Sequence, residues 1–381
     1  MGKRKIAVIT GSRAEFGILS NLLDKIEISE YLELQLLVTG SHLSVTGGLT
    51  ISEISKKFKV SKSIEILLNS DSRVGISKAM GLAMISMSEV YHDLQPDIVL
   101  ILGDRFEIHA AATAALIMGI PIAHIHGGEL TEGAWDESLR HSISKLSSLH
   151  FTTTERYRER VIQLGESPDR VFNVGSLGVE NTKKLSLLNK HELEAILNFK
   201  LDNTVMVTVH SETNKVGLES ELIQPVLKAL SSFEDLRILF TLSNADVGGH
   251  DINQQIHNFV QENPDRSIAV ESLGQQKYFS ALKCVKAVVG NSSSGLIEVP
   301  SFGIPTLNIG CRQQGRIAAS SVITCKAEYK IIKENLAQIL SKPVDLNIHN
   351  PYEKHCTAEL IKDILVETKL ENLDKKVFYD L

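Results

Sequence analysis

A chain of 381 residues exceeds what one hydrophobic core comfortably serves and predicts two domains of roughly 150–200 residues each. Hydrophobic content of 43% and charged content of 23% are those of an ordinary water-soluble globular protein. A formal charge of −6 without a basic stripe excludes a nucleic-acid partner, while leaving room for one phosphate-bearing ligand.

The opening MGKRKIAVITGSRAE carries an apolar run too short for a signal-peptide core and far short of the ~20 residues of a membrane span. No membrane partner is expected. Residues 5–10 (KIAVIT) are β-branched and almost continuously apolar, as a central parallel strand should be. GSRAEFG leads into helical spacing over residues 18–26. The turn is not GxGxxG, so a dinucleotide gains little support and no cofactor is expected. Residues 32–40 and 63–69 predict the second and third strands, and residues 77–94 a helix ending before Pro96. Residues 97–103 (DIVLILG) predict a buried strand, residues 108–118 a helix, and residues 120–125 and 149–154 the next strands. A helix over 158–164 and a strand over 171–174 complete the set. Strands alternating with helices predict parallel βαβ units, an α/β fold of Rossmann-like type.

Around residues 176–190 the alternation pauses, then restarts with strands over 204–209, 236–241, 268–270, 285–289 and, last, 305–309. The expected domains are therefore 1–180 and 181–355. Residues 356–381 form a C-terminal helical segment packing back across them. Each half places polar residues just past its strand ends, and two such halves facing each other make a cleft. The four cysteines (Cys284, Cys311, Cys325 and Cys356) show no CxxC pairing and read as free thiols of a reducing, cytoplasmic compartment.

The densest chemistry lies in residues 124–141, HIHGGELTEGAWDESLRH, where the end of a buried strand is followed by a two-glycine turn and then an Asp-led helix. Asp136, Glu137, Arg140 and His141 share one helix face by the three-to-four rule; a plain surface ion-pair ladder is the alternative. His124 and His126 alternate with Ile125 in a strand and offer no HExxH-type geometry, so no metal site is expected. Asp104, with Arg105, ends the DIVLILG strand, where an Asp costs desolvation unless it is paired or used. His210 ends TVMVTV in the same way, and Asn244 follows Ser243 beyond the next strand.

Residues 290–295 (GNSSSG) join a strand to the helix that begins LIE. Ser292, Ser293, Ser294 and the freed amides there suit a phosphate at a helix N-terminus; a serine-rich capping turn is the bland alternative. Glu298 suits ribose hydroxyls. Arg312 and Arg13 are candidate clamps for a diphosphate.

GSRAEFGIL, LGDRFEI, HIHGGE…DESLRHSISKLS, FNVGSLGVEN, VTVH, SNAD and GNSSSGLIEVPSFGIPTLNIGCRQQGR together resemble the hydrolysing UDP-N-acetylglucosamine 2-epimerases of bacterial sialic acid synthesis. The likeness runs through almost the whole chain in order. It implies a glycosyltransferase-B-type fold, two Rossmann-like domains with the nucleotide sugar between them, and a homodimer. It implies catalytic carboxylates at Asp104 and Asp136, and nucleotide-sugar contacts at Arg13, His210, Ser292, Ser293, Glu298 and Arg312. Non-hydrolysing relatives carry a Lys where this chain has Ile18, which favours the hydrolysing branch. Several relatives place a catalytic Glu where this chain has His126, leaving either His126 or Glu129 for that role.

The activity so implied eliminates UDP to give 2-acetamidoglucal, then adds water, releasing N-acetylmannosamine. The same framework serves a UDP-linked 2,4-diacetamido-trideoxy sugar on the route to legionaminic acid. A glycosyltransferase would share the fold and the phosphate loop. The Glu132-Gly133-Ala134-Trp135 segment is a candidate for tuning the sugar.

Overall fold

The computed structural model describes residues 2–44, 49–68, 70, 72–132, 134–212, 219–243, 248–342 and 344–381. These divide into two compact units. Unit 1 comprises Met1–Glu129, Asp136–Asn181 and Tyr352–Leu381; unit 2 comprises Leu130–Trp135 and Thr182–Pro351.

Unit 1 is built on seven parallel strands: β1 Arg4–Thr10, β2 Leu32–Thr39, β3 Val60–Ile64, β4 Ile98–Leu102, β5 Ile122–Ile125, β6 Leu149–Thr152 and β7 Val171–Asn173. Their order is β3-β2-β1-β4-β5-β6-β7. Why the strand sequences lack alternation is visible in β1. Ile6 and Val8 enter one apolar layer with Leu36, Leu100 and Leu22, while Ala7 and Ile9 enter the opposite layer with Leu37, Ile101 and Ala111. Both faces are covered, so both phases of the strand must be apolar.

Unit 2 repeats the plan with β8 Thr204–Thr208, β9 Arg237–Thr241, β10 Ser267–Val270, β11 Ala287–Gly290, β12 Thr306–Ile309 and β13 Val322–Cys325. The order is β10-β9-β8-β11-β12-β13, again all parallel. Val205 and Val207 face one core and Met206 the other. In each sheet the first strand of the unit lies between the second and the fourth. Crossovers leave in opposite directions there, and ligands of open α/β sheets bind outside such a switch point.

Three expectations need correction. The third strand is Val60–Ile64 rather than 63–69, because its pairing with β2 ends at Ile64 and the chain beyond turns Ile66 into the core. Residues 305–309 are not the last strand: β13 follows, a half-exposed edge strand whose pattern is weak in sequence. The C-terminal helix Thr357–Glu367 belongs wholly to unit 1, where Ala358, Ile361 and Leu365 join the core and Arg4 donates to the carbonyls of Leu365 and Val366.

Candidate functional site

In unit 1 the polar groups collect where β1, β4 and β5 end. Beyond β1, Ser12 caps the helix Arg13–Glu27 by accepting from the Glu15 N–H, and Glu15 reaches back to accept from the Gly11 N–H at 2.7 Å. Beyond β4, Arg105 Nε lies 2.6 Å from Glu107 Oε1 and 3.8 Å from Glu15 Oε1. Glu107 is wholly buried and Glu15 nearly so. Burial, and then the charge of Glu107, push the Glu15 carboxyl up to about 7; Arg105 and the Gly11 N–H pull the other way. Gly11 is required here, since a Cβ would meet Glu107 Oε1 at 2.5 Å.

The two carboxylates were missed in sequence, although both motifs read Arg-x-Glu: Arg13-Ala14-Glu15 and Arg105-Phe106-Glu107. Arg105 faces the two buried carboxylates, and Arg13 donates to Glu53. His42 was also missed. It is buried between Thr10 Oγ1 (2.9 Å) and Thr50 Oγ1 (2.5 Å), and burial above all, then Arg13, holds it down at about 4, so it is neutral at pH 7.

Asp104 accepts from Arg140, whose side chain is only 3% exposed. Arg140 stands one turn after Asp136, the first residue of the helix Asp136–Leu146. Residues at this spacing share a helix face, so Asp136 and the Asp104–Arg140 pair converge on one side of that helix. Glu137 and His141 pair with each other at 3.0 Å.

The two strand histidines fare differently. His124 uses both nitrogens, Nε2 on the Gly103 carbonyl (2.8 Å) and Nδ1 on Ser144 Oγ (3.2 Å). Burial drives it down to about 3, so it is a neutral structural residue. His126 has Nδ1 3.2 Å from Glu129 Oε1, and Glu129 Oε1 also accepts from Thr153 Oγ1 at 2.9 Å.

In unit 2 the organiser is Asn291. Its Oδ1 accepts from the His210 N–H at 2.7 Å and its Nδ2 donates to the His210 carbonyl at 2.8 Å, tying the chain beyond β11 to the chain beyond β8. Gln313 and Arg312 donate to the Asn291 carbonyl. Buried Glu212 accepts from the N–H groups of Cys311 (2.7 Å) and Arg312 (3.2 Å). His210 Nδ1 lies 3.3 Å from Ser243 Oγ. His210, Ser292, Ser293, Ser294, Glu298 and Arg312 thus gather around strand ends β8, β11 and β12 of one unit. Glu212 and Asn291 are the members that sequence reading missed; the VTVHSE and GN strings carried them.

The helix expected after GNSSSG is a single turn, Ser294–Ile297, running into a 3₁₀ turn at Val299–Phe302. Pro300 and the αL residue Gly303 stop a longer helix, so the turn carries little helix dipole. Asn244 and Gly133 lie outside the described residues. Leu130–Trp135, expected in the first domain, packs in unit 2, where Arg316 donates to the Leu130 carbonyl (2.7 Å) and Thr131 Oγ1 (3.3 Å). Among the described residues no three His, Cys, Asp or Glu side chains converge as metal ligands would, and no helix is long and apolar enough to cross a membrane.

The family model described as UDP-N-acetylglucosamine 2-epimerase matches residues 24–366. The chain belongs to that family. A Campylobacter jejuni protein described as GDP/UDP-N,N'-diacetylbacillosamine 2-epimerase (hydrolyzing) is 42% identical over 386 aligned residues, covering 100% of both chains. The Escherichia coli polysialic acid biosynthesis protein P7 is 40% identical over 389 residues, covering 99% of this chain and 98% of its own. A Neisseria meningitidis UDP-GlcNAc 2-epimerase solved with UDP-GlcNAc superposes with a TM-score of 0.81 at 19% identity, covering 96% of this chain and 100% of that one. That likeness shows the fold: two parallel-sheet, Rossmann-like domains of the glycosyltransferase-B type.

Proposed function

We propose that this family member is a hydrolysing 2-epimerase of a UDP-linked 2-acetamido sugar, converting UDP-N-acetylglucosamine and water to N-acetylmannosamine and UDP. Family membership and the full-length likeness to a relative described as hydrolysing support the class of reaction. The observation that carries the chemistry is the Asp104 carboxylate held by Arg140, which stands one helical turn after Asp136.

The C2 proton of the sugar is weakly acidic, because no adjacent carbonyl stabilises a carbanion. Its removal must accompany cleavage of the C1–O bond to the diphosphate. Asp136 takes the proton, the C–H electrons form the C1–C2 double bond, and UDP departs with the C1–O electrons. Ser292, Ser293, Ser294 and Arg312 stabilise the departing diphosphate, while Glu298 accepts from ribose hydroxyls. Water then bonds through its oxygen to C1 of the 2-acetamidoglucal and gives up one of its protons, while the C1–C2 π electrons take a proton at C2 from an acid on the opposite face, for which Asp104 and His126 are candidates. Two carriers are needed because the stereocentre inverts.

A second reading, UDP-N,N'-diacetylbacillosamine as substrate, is favoured by the name of the C. jejuni relative. One experiment covers both. The purified protein is incubated with each nucleotide sugar in heavy water and the free sugar identified by NMR. Release of a manno-configured sugar with one deuterium at C2 is expected from one substrate. Intact nucleotide sugar from both, or retention of the original C2 hydrogen, overturns the reading.

A further inference from the structure

His126 and Glu129 stood as alternatives in sequence; in the structure they are one assembly. His126 takes a left-handed backbone, φ +69°, a conformation that costs a non-glycine residue free energy and persists where the surroundings enforce it. Its N–H is held by the Phe151 carbonyl at 3.0 Å. Gly128 (φ +78°) then turns the chain so closely over Tyr157 that a Cβ would stand 2.4 Å from the Tyr157 carbonyl oxygen. This two-glycine turn is what brings Glu129 back onto the His126 ring. The His126 side chain is 9% exposed and that of Glu129 1%.

An ionised carboxylate only accepts hydrogen bonds, so the imidazole nitrogen facing Glu129 carries the hydrogen and the other carries a lone pair. Thr153 Oγ1, donating to the same Glu129 oxygen, orients the carboxylate. Nε2 of His126 is buried and has no hydrogen-bond partner among the described residues. Neighbouring His124 shows the contrast, with both of its nitrogens engaged. Backbone strain and a covered, unpartnered imidazole nitrogen on one residue mark a functional group.

We propose that Glu129 and His126 form a single proton-handling dyad. Glu129 is the positioning residue that fixes the Nδ1–H tautomer, and Nε2 of His126 is the atom that exchanges a proton with the sugar. The proposal rests on the epimerase reading above. In it Nε2 takes the proton that water loses as its oxygen bonds to C1, the charge so gained is balanced by Glu129, and the Nε2–H then protonates C2.

Two measurements test it. In protein labelled with ¹⁵N-histidine, long-range ¹H–¹⁵N spectra at neutral pH should show His126 as the Nδ1–H tautomer, its signals assigned by their loss in His126→Gln. Glu129→Gln should abolish that tautomer's dominance. An Nε2–H tautomer, or no response to Glu129→Gln, overturns the dyad, whatever the activity. In turnover, Glu129→Gln should lower kcat at least tenfold with KM little changed. In a His126→Glu background, where a second carboxylate has nothing to orient, Glu129→Gln should cost less than threefold. Thr153→Val, a milder change, should follow the same pattern, and urea melts establish that each variant is folded. Equal losses in both backgrounds mean a merely structural Glu129 and overturn the proposal. If the wild type releases free sugar from neither nucleotide sugar, the epimerase reading fails, and the tautomer measurement still decides the dyad.

Discussion

Arg140, on the helix Asp136–Leu146, holds the Asp104 carboxylate that follows β4, and so couples the tip of a central strand to the segment two crossovers later. The Arg140 side chain is 3% exposed and Asp104 18%, so neither charge is well served by water. Removing one partner of such a pair leaves the other uncompensated. Arg140→Met should destabilise unit 1 by about 3 kcal/mol, read as a shift in the urea midpoint. Asp104→Asn likewise leaves the Arg140 charge uncompensated, and in the protein that still folds it should lower turnover by roughly 10²-fold. Unchanged turnover in Asp104→Asn would remove Asp104 from the chemistry.

Asp136 opens its helix half-buried, at a position suited to a carboxylate by the helix dipole. Asp136→Asn should also cost roughly 10²-fold or more in rate, with little change in stability. Deuterium exchange into C2 should slow in parallel with UDP release, since both need the same base. Fast exchange in this variant would assign the base elsewhere.

The Glu15–Glu107 pair gives a pH signature. Glu15 is raised from 4.5 to about 7 by burial and by Glu107, so the folded protein binds its proton more tightly than the unfolded chain does. That contribution to stability is complete below about pH 4.5 and is lost as pH rises through 7. Glu15→Gln removes the ionisation. The urea midpoint of the wild type relative to Glu15→Gln should therefore fall between pH 4.5 and 7 and level off above. A difference independent of pH would mean Glu15 stays charged.

At Gly290 the ends of β8 and β11 leave no room for a side chain. The Gly290 φ is +134°, and a Cβ would stand 1.8 Å from the Thr208 carbonyl oxygen. Gly290→Ala should force β8 and β11 apart at their ends and destabilise unit 2 by several kcal/mol, on the order of 3–5. Thermal melts followed by circular dichroism would check this.

Asn291 makes two hydrogen bonds to the His210 backbone and receives Gln313 on its carbonyl. Asn291→Leu leaves buried groups unpaired at roughly 1–3 kcal/mol each and loosens the serine loop. Calorimetry should show UDP affinity down by about tenfold or more, 1.4 kcal/mol per decade. Unaltered UDP binding would separate this loop from the nucleotide.

Much of the fold was legible because buried parallel strands announce themselves. KIAVIT, DIVLIL and TVMVT are apolar on both phases, and no surface strand needs that. The edge strands β3 and β13 were misplaced or missed because half-exposure erases the pattern. The site was legible in part for a related reason: Asp104, His126 and His210 are polar residues that abruptly end apolar runs, and that position is visible in one dimension. Glu15 and Glu107 follow helix starts, where an acidic residue reads as ordinary capping, so their joint burial stayed hidden.

The sequence by itself determined the alternation of strands and helices, the two-unit plan and the family, since local apolar patterning and long ordered motifs are carried by neighbours in the chain. Tertiary structure alone decided the pairings: Asp104 with Arg140, Arg105 with Glu107, and His126 with Glu129 where the alternatives had stood apart. Which donor meets which acceptor depends on strand order and turn geometry, and residues 36 positions apart, as Asp104 and Arg140 are, carry no sign in sequence of lying side by side.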